Sequence, residues 1–339
     1  MFAVPSFFGY NTTFVSTPVA TAATGVGSTS FTANWNAFAG ASYYLLDVST
    51  SSSFSSFVGS YQNFVVLSTS QLVSGLTAST TYYYRLRAAT GVDADAAAFF
   101  SRVYTAGGAL SYTEVSATET LVSSLKANSL WTPMKAIYPM VGASAAACAQ
   151  NLKSSSFTGT FSSGWTFAST GVTGNGTSSY MDPNFTSSAN LSLNSAHIAF
   201  YSRTNSASSM VMAGTQSLYV LGRWTNYHAN NSVESNLGGV SMGSTTAGFF
   251  MSNRTVGTEM KYQINGSIQT DSTSTAATAS ISSNKTLLMG CQNSDVGIRF
   301  NNDYSTAFYS LGDGLTDTQA SNFYTLVQTF QTTLARQVV

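Results

Sequence analysis

Strand-like runs separated by turn residues recur at short, regular spacing over residues 18–106. In Ser30–Trp35 the side chains of Phe31, Ala33 and Trp35 alternate with polar ones, so these three lie on one face of a strand. We expect that face to be buried. Because several short strands with turn signals between them are typical of a β-sandwich, a sandwich is the structure expected for this first unit.

The composition of the whole chain also favours strands. Aromatic residues make up 13% of the 339 residues and charged residues only 8%, against about 25% charged residues in an average soluble domain. A chain of this length suggests two domains. The fold class expected is all-β, with one sandwich followed by a larger one that has short helices at its start and end.

The charge pattern excludes two classes of partner. The net charge is zero at pH 7 and the sequence contains no basic run. The electrostatic attraction that dominates binding to nucleic acid is therefore missing, and so is attraction to anionic lipid. No window approaches the roughly 18 consecutive apolar residues of a spanning helix, so we expect neither nucleic-acid binding nor membrane insertion.

The first unit, residues 18–106, resembles a fibronectin type III domain. Trp35 matches the buried tryptophan of that family, and Leu76 and Tyr82 match its tyrosine-corner pair. Ala78 stands where the family often has proline, which is a departure. The inward residues of the next strand are then Tyr84, Leu86 and Ala88. The resemblance implies a spacer or docking module in which the tyrosines are strand residues rather than a ligand platform.

A glycine pair at residues 107–108 ends this pattern. Residues 107–130 are interpreted as a linker with a short helix, because three apolar residues recur at helical spacing, namely Leu121, Val122 and Leu125. The second unit, residues 131–339, starts with a helical or irregular piece within 130–142. It continues with strand candidates at residues 164–168, 198–203, 217–221, 248–251, 260–264, 286–291 and 297–300. Two packed antiparallel sheets, a jelly roll, are expected.

Two further resemblances lie in the second unit. Residues 172–177, followed by 191–193 and 198–203, resemble the opening strands of concanavalin-like, laminin-G-like domains, and residues 262–266 resemble a strand with its Asn-Gly turn in that fold. The segment 130–142 and the ending at 312–320 together resemble structural proteins of tailed bacteriophages. This last resemblance implies a virion structural protein: a capsid-decoration, head-fibre or tail-fibre component on the virion surface that contacts other virion proteins and further copies of itself.

Residues 320–334 are predicted to form a helix that Thr316 or Asp317 caps. Its apolar stripe consists of Phe323, Leu326, Val327, Phe330 and Leu334. Amphipathic helices normally bury such a stripe in their own domain, so we assign it to the core rather than to a partner groove.

The start of the chain bears on localisation. The first basic residue is Arg85, so the positive region that opens a secretory signal is missing and we expect no signal peptide. A virion protein made in the host cytoplasm and released by lysis fits this start, and a mature secreted fragment is the alternative. Cys148 and Cys291 form no C-x-x-C pair, so we expect two buried thiols rather than a disulfide framework or a zinc site.

Residues that carry catalysis or bind metals are scattered. His197 and His228 each lack a second ligand at i+3 or i+4, so no metal and no cofactor is expected. The G-x-S-x-G match at residues 239–243 is followed by a poor helix sequence. Glu234 and Glu259 stand alone in their strands, so the carboxylate pair of a glycosidase is not indicated. We therefore expect no enzyme.

Carbohydrate binding without catalysis is the alternative function, either in a host-attaching virion protein or in an adhesin of a bacterial surface or secreted protein. Sugars stack on aromatic rings and hydrogen-bond to amide and hydroxyl groups. The densest such group consists of Tyr219, Arg223, Trp224, Asn226, Tyr227, His228, Asn230 and Asn231. The competing interpretation places Tyr219 and Trp224 in the core and the asparagine pair in a turn.

The N-terminal segment, residues 1–17, contains no charge and five aromatic residues: Phe2, Phe7, Phe8, Tyr10 and Phe14. An aromatic side chain buries about 150–250 Å² when covered, so leaving five of them in water is costly. We interpret the segment as an assembly anchor that adds an extended strand to an exposed edge of a neighbouring subunit. The alternative is that it folds back on its own sandwich.

Overall fold

The structure, a computed structural model, describes residues 17–192, 194–204, 247–256, 261–270 and 304–339. It also describes the backbone, without side chains, of strand residues 13–14, 210–214, 219–222, 228–230, 260, 271, 287–288, 291–294 and 297–300. Among these residues no helix is both long and apolar enough to cross a membrane.

In the part of the chain that the structure describes, seven strands form the first sandwich. They are β1 (Thr13–Phe14), β2 (Ala20–Thr24), β3 (Ser30–Trp35), β4 (Ala41–Ser49), β5 (Phe64–Val66), β6 (Ser70–Ser74) and β7 (Tyr83–Thr90). One sheet has the order β2-β3-β6 and the other has the order β1-β7-β4-β5. All pairs are antiparallel.

The alternation along β3 matches the prediction. Phe31, Ala33 and Trp35 are buried and the residues between them are half-buried. The indole ring of Trp35 packs edge-on against the ring of Tyr44, with centroids 5.6 Å apart. This inner core between the two sheets also contains Leu46, Val48, Val73 and Leu86.

A helix, α1 (Ala94–Thr105), follows β7 inside the range 18–106 that the sequence pattern assigns to the first sandwich. Asp93 caps it by accepting a hydrogen bond from the backbone N–H of Asp95 at 2.9 Å. It ends at Thr105, and Gly107 follows with a φ of 84°, a left-handed conformation that glycine adopts readily. The chain therefore leaves the sandwich after β7 as a helix, without a further strand.

The helix α1 covers the outer face of the β1-β7-β4-β5 sheet. The rings of Phe100 and Tyr43 pack edge-on with centroids 6.1 Å apart. The hydroxyl of Tyr104 donates to the carbonyl of Val65 at 2.8 Å. Both α1 and this face belong to one apolar cluster that continues into the second unit.

After α1 come the helices α2 (Tyr112–Ala127), α3 (Ala145–Cys148), α4 (Ser187–Asn190) and α5 (Asp317–Thr333). The range 107–130, predicted as a linker with a short helix, holds the 16-residue α2, which packs on the second unit and is described with it. The strands of the second unit are β8 (Met134–Tyr138), β9 (Thr160–Phe161), β10 (Thr166–Ala168), β11 (Gly171–Thr173), β12 (Met181–Asp182), β13 (Ala196–Ser202), β14 (Met210–Gly214), β15 (Tyr219–Gly222), β16 (His228–Asn230), β17 (Gly248–Arg254), β18 (Met260–Ile264), β19 (Ser267–Asp271), β20 (Leu287–Leu288), β21 (Cys291–Ser294), β22 (Gly297–Phe300) and β23 (Ser305–Gly312).

The strands of the second unit form two large antiparallel sheets and a two-stranded hairpin of β21 and β22. The larger sheet has the order β10-β11-β23-β13-β17-β18-β19, with β8 also paired to β23. The smaller one has the order β16-β15-β14-β20-β12-β9. The segment 130–142, predicted to be helical or irregular, thus supplies the strand β8. The expected fold class, mostly β with a few short helices, is confirmed.

The two long helices of the second unit lie on one face of the larger sheet. Each starts with a capping box, formed by Ser111 with Glu114 in α2 and by Thr316 with Gln319 in α5. The predicted stripe of α5 is buried at Phe323, Leu326, Val327 and Phe330, and Leu334 packs against it half-buried. The assignment of this stripe to the core is confirmed.

A second apolar cluster lies on the opposite face of the larger sheet. The rings of Phe200 on β13 and Phe250 on β17 stack there with centroids 4.9 Å apart. Met181 on β12 of the smaller sheet belongs to the same cluster. The larger sheet is therefore covered by helices on one face and by part of the smaller sheet on the other.

Candidate functional site

A groove of about 370 Å³ opens to solvent on one side of the first sandwich. The turn between β2 and β3 and the loop between β6 and β7 line it. Phe31, Leu76, Tyr82 and Tyr84 supply its apolar and aromatic surface, while serine and threonine residues supply hydroxyl groups, and none of the lining residues is charged. The volume lies at the small end of the roughly 300–1,000 Å³ of ligand pockets, so an aromatic side chain or a single sugar ring fits it.

The loop between β6 and β7 is held by Tyr82. The backbone N–H of Thr77 donates to the hydroxyl of Tyr82 at 2.8 Å, which is the hydrogen bond of a tyrosine corner. The neighbouring Leu76 is buried, and its N–H donates to the carbonyl of Thr29 at 3.0 Å. The loop is therefore tied to the turn between β2 and β3, and these bonds hold the two walls of the groove together.

Tyr84 bridges the two sheets at this groove. It stands on β7, and its hydroxyl lies within hydrogen-bonding distance of the carbonyls of Thr21 on β2 and Asn34 on β3, the latter at 3.2 Å. Its ring centroid is 5.9 Å from that of Phe31. A side chain thus connects β2 to β7 where the two edges of the sandwich face each other.

The strand β7 lies between β1 and β4 in its sheet. β1 pairs with it at two positions, Thr13 opposite Thr90 and Phe14 opposite Ala89. On its other side, β7 pairs with β4 along residues 83–88. Across the groove, β2 is the edge of the other sheet. We call the region formed by β2, Tyr84 and the groove the open side.

The β2 edge of the open side is exposed and uncharged. Four of its five residues are exposed, and the flanking Val19 and Val26 are 65% and 74% exposed. Proteins usually protect an edge strand with charged side chains, proline or a bulge. Here the pairing with β3 shifts register between Thr21 and Thr24, but no side chain of β2 carries a charge. β2 therefore has only part of the usual protection.

The charged groups of the first sandwich lie elsewhere and are paired. Asp47 on β4 is buried, and its carboxylate accepts hydrogen bonds from Arg85 at 2.9 Å and Arg87 at 3.2 Å. The backbone N–H of Asn63 also donates to it, at 2.7 Å. With these partners the carboxylate is satisfied, so it serves the fold rather than acid–base chemistry.

The structure describes the end of the predicted anchor segment alone. Phe14 pairs with Ala89 of its own chain, and its side chain is not described. Four anchor residues lie outside the described residues, namely Phe2, Phe7, Phe8 and Tyr10. The anchor role stays a prediction.

The predicted glycan patch falls on the hairpin of β15 and β16. Tyr219 pairs with Asn230 and Leu221 with His228, so Tyr219 and His228 stand on neighbouring strands. The residues that connect these strands lie outside the described residues; they include Arg223, Trp224, Asn226 and Tyr227. The patch stays a prediction as well.

No catalytic group emerges from the described residues. None of them form a set of three or more His, Cys, Asp or Glu side chains that could hold a metal ion. Burial lowers the pKa of His197 to about 4, against the smaller effect of its hydrogen bond with the carbonyl of Asp313. Burial also raises the pKa of the Cys148 thiol to about 12, so it is not a nucleophile at neutral pH. Glu234, Glu259 and the G-x-S-x-G match lie outside the described residues.

The open side is not among the sites predicted from the sequence. A signal was available, because residues 17–28 include β2 and carry no charge, which is unusual for an edge strand. That these residues form an edge depends on strand pairing, however, and the pairing partners are distant in sequence. The local sequence pattern therefore does not show that Thr21 and Val26 lie at an exposed edge of the sandwich.

No protein-family model matches the chain, and no curated protein matches it. Among solved structures, the chain is similar to the binding domain of botulinum neurotoxin serotype D, with 11% identity over 58% of this chain and 52% of that one and a TM-score of 0.42. It is also similar to Trypanosoma rangeli sialidase in complex with sialic acid, with 6% identity over 75% of this chain and 42% of that one and a TM-score of 0.43. This chain spans about half the length of these structures or less. Structural similarity at these TM-scores establishes neither the detailed fold nor the function of this chain.

Proposed function

We propose that this chain is a non-enzymatic structural component of a bacteriophage particle, displayed on the virion surface and held by contacts with other virion proteins and with copies of itself. The observation that carries the proposal is the joint between its two units. Phe99, Phe100 and Val103 of α1 are buried in an apolar cluster. That cluster includes residues of β4 in the first sandwich and residues of α2, α5 and the larger sheet in the second unit.

An apolar interface of this kind between two units suits a structural component of a particle. Units within one chain usually meet through modest, fairly polar interfaces and move relative to one another unless the interface is large and hydrophobic. Here the apolar contact is continuous, so the two units hold a fixed geometry. A building block of a particle has to keep its geometry, whereas an enzyme that closes over a substrate needs a hinge.

The surface chemistry agrees with this role. Charged residues make up 8% of the chain and the net charge is zero. A neutral, hydroxyl-rich surface carries no field that repels further copies of the same chain, so many copies can stand close together. The pairing of Asp47 and the pKa values of His197 and Cys148 leave none of these three groups poised for catalysis.

The direct test is the composition of purified particles. Phage whose genome encodes this chain is banded on a density gradient, and the particles are analysed by quantitative mass spectrometry. We expect many copies per particle, in a fixed ratio to the major capsid or tail protein. A chain that is abundant in the lysate but lost from the banded particles would overturn the proposal.

Host-glycan binding is the second candidate function, and it rests on the sequence patch at Tyr219–His228. A glycan array separates the two functions. If the patch binds sugar, the wild-type chain gives signals that Trp224→Ala abolishes, because the ring that stacks on the sugar is removed. Identical profiles for the wild type and the variant would exclude the patch.

A further inference from the structure

We propose that the groove of the first sandwich is a binding site for one neutral sugar ring of a glycan. This site is separate from the patch at Tyr219–His228, and binding there goes beyond the proposed structural role. The groove lies between the turn that joins β2 to β3 and the loop that joins β6 to β7, and it faces solvent. The sugar packs on the aromatic rings of the groove, and its hydroxyl groups hydrogen-bond to serine and threonine side chains of the walls.

The first support is the aromatic surface of the groove. Phe31 is buried, Tyr82 and Tyr84 are half-buried, and all three line the groove. The ring centroids of Phe31 and Tyr84 are 5.9 Å apart. Both tyrosine hydroxyls are already bonded to the backbone, at Thr77 and at Asn34, so the rings are what the tyrosines offer to a ligand. A sugar ring carries C–H groups on its faces, and these pack on aromatic rings.

The second support is the set of hydroxyl groups in the walls. More than half of the residues that line the groove carry a hydroxyl group, and Ser28, Ser79, Thr80 and Thr81 among them are exposed. A hydroxyl group both donates and accepts hydrogen bonds, as the hydroxyl groups of a sugar do. An apolar side chain in the same place would remove water from these groups without pairing them, which is costly. The groove therefore suits a sugar ring better than a side chain of another protein.

The third support is the lack of charge around the groove. None of its lining residues is charged, and residues 1–46 and 48–84 contain no Asp, Glu, Lys or Arg. The nearest charged residues in sequence, Asp47 and Arg85, pair with each other at 2.9 Å. A sugar that carries a carboxylate would lose water in the groove without gaining a cationic partner there. We therefore expect the site to select neutral sugars over acidic ones.

The fourth support is that the walls are held in place by the chain itself. The N–H of Gly27 donates to the carbonyl of Ser30 at 2.8 Å, and the N–H of Leu76 donates to the carbonyl of Thr29 at 3.0 Å. In the loop, Ser79 has a φ of 56°, which is uncommon for a residue other than glycine. Residues held in such conformations cluster at ligand sites. A site that is already formed loses less conformational entropy when a ligand binds.

The binding test uses the full chain and five sugar probes in saturation-transfer NMR. Four probes are neutral, namely the methyl glycosides of glucose, galactose, mannose and N-acetylglucosamine, and the fifth is N-acetylneuraminic acid, which carries a carboxylate. At least one neutral glycoside is expected to bind with a Kd on the order of 1 mM, as expected for a ligand of this size. N-acetylneuraminic acid is expected to bind about tenfold more weakly or less, because the groove offers its carboxylate no cation.

A variant that fills the groove tests its position. Gly27→Leu places a branched side chain there, and its Cβ atom would lie 3.5 Å from the hydroxyl of Ser30, an ordinary contact that the turn accommodates. We expect this variant to weaken sugar binding about tenfold or more. The matched control is Ser70→Leu, because Ser70 is exposed and pairs with Asn34, at the end of β3 away from Ser30. The control is expected to leave the Kd within about twofold.

Photolabelling of the wild type locates the site without a groove variant. A diazirine-bearing form of the glycoside that binds best is expected to label peptides that contain residues 23–31 or 76–84. An excess of the unmodified glycoside is expected to suppress this labelling. Trp224→Ala, in the patch predicted from the sequence, is expected to leave the Kd within about twofold.

Several outcomes overturn the proposal. Binding of none of the four neutral glycosides would do so, as would binding that a folded Gly27→Leu variant leaves unchanged. Labelling confined to other peptides, N-acetylneuraminic acid that binds as tightly as the neutral sugars, or loss of binding in Trp224→Ala would also exclude the groove as a neutral sugar site. Because the copy number in purified particles is measured separately, these failures leave the proposed virion role standing, and absence from particles leaves the sugar site standing.

Discussion

Two surfaces of the first sandwich differ in how far they are covered by the rest of the chain. The outer face of the β1-β7-β4-β5 sheet is covered by α1, with Tyr43 and Val65 buried at 1% and 3% exposure. The groove on the open side faces solvent, and Val26 in its wall is 74% exposed. The chain thus closes one surface with its own helix, whereas the groove on the other surface stays open to solvent.

The largest expected effect is on the covered face. Phe100→Ala removes a ring that packs on Tyr43, and because the site is buried we expect a loss of about 3–5 kcal/mol in the free energy of unfolding. Urea denaturation followed by near-UV circular dichroism measures it. The control is Tyr83→Ala on β7, which is 41% exposed and is expected to lose about 1 kcal/mol at most. A loss below about 1 kcal/mol for Phe100→Ala would mean that α1 does not secure the joint.

Lowering the pH tests whether the buried contact under α1 makes the two units unfold together in one cooperative transition. His197 in the second unit is fully buried, with Nδ1 2.6 Å from the carbonyl of Asp313 and Nε2 3.3 Å from the hydroxyl of Ser310. These partners suit the neutral ring, with Nδ1 as donor and Nε2 as acceptor. The pKa is about 4 in the folded chain, because burial disfavours the charged form, against about 6.5 in the unfolded chain.

The direction in which the pH changes the folding stability follows from proton binding. Above pH 6.5 neither state is protonated, so His197 makes no difference. As the pH falls from 6.5 towards 4, the unfolded chain takes up a proton and the folded chain does not, so the stability falls by about 2 kcal/mol at pH 5. The difference between the wild type and His197→Asn at each pH isolates this contribution. We expect signals from both units to report one shifted transition, and two separate transitions would contradict a shared core.

Much of the local structure could be predicted because its signals are local. Phe31, Ala33 and Trp35 alternate within six residues, and the stripe of α5 repeats at helical spacing behind a capping threonine. The hydrogen bond between Thr77 and Tyr82 spans five residues. Each of these depends on periodicity or on a short-range bond, so the sequence alone is sufficient to predict them.

Other features depend on contacts that are distant in sequence. The alanine-rich start of α1 behind the capping Asp93 favours a helix locally, but its place against Tyr43 and the second unit depends on packing between distant segments. β8 lies in the larger sheet because Tyr138 pairs with Tyr309, far along the chain. The pairing of β7 with Thr13 and Phe14 is equally non-local. The open side could therefore emerge only from the structure.

A smaller loss of stability is expected when the hydrogen bond between Thr77 and Tyr82, which holds the loop of the groove, is removed. Tyr82→Phe keeps the ring but removes the acceptor for the N–H of Thr77, 2.8 Å away, so we expect a loss of about 1 kcal/mol. Tyr83→Phe is the matched control, since Tyr83 is 41% exposed, and it is expected to change the stability by less than about 0.5 kcal/mol. Equal losses in the two variants would show that this bond does not hold the loop.

The smallest effect separates the two surfaces most directly. Val26→Lys adds a charge on the open side, where the side chain is 74% exposed and the new ammonium group stays in water. We therefore expect the free energy of unfolding to change by less than about 0.5 kcal/mol. Val65→Lys adds the same charge beneath α1, where the side chain is 3% exposed, and a buried charge without a partner is strongly destabilising. Thermal melts of both variants at one pH give the contrast; a large loss for Val26→Lys would mean that the open side is already filled by the chain itself.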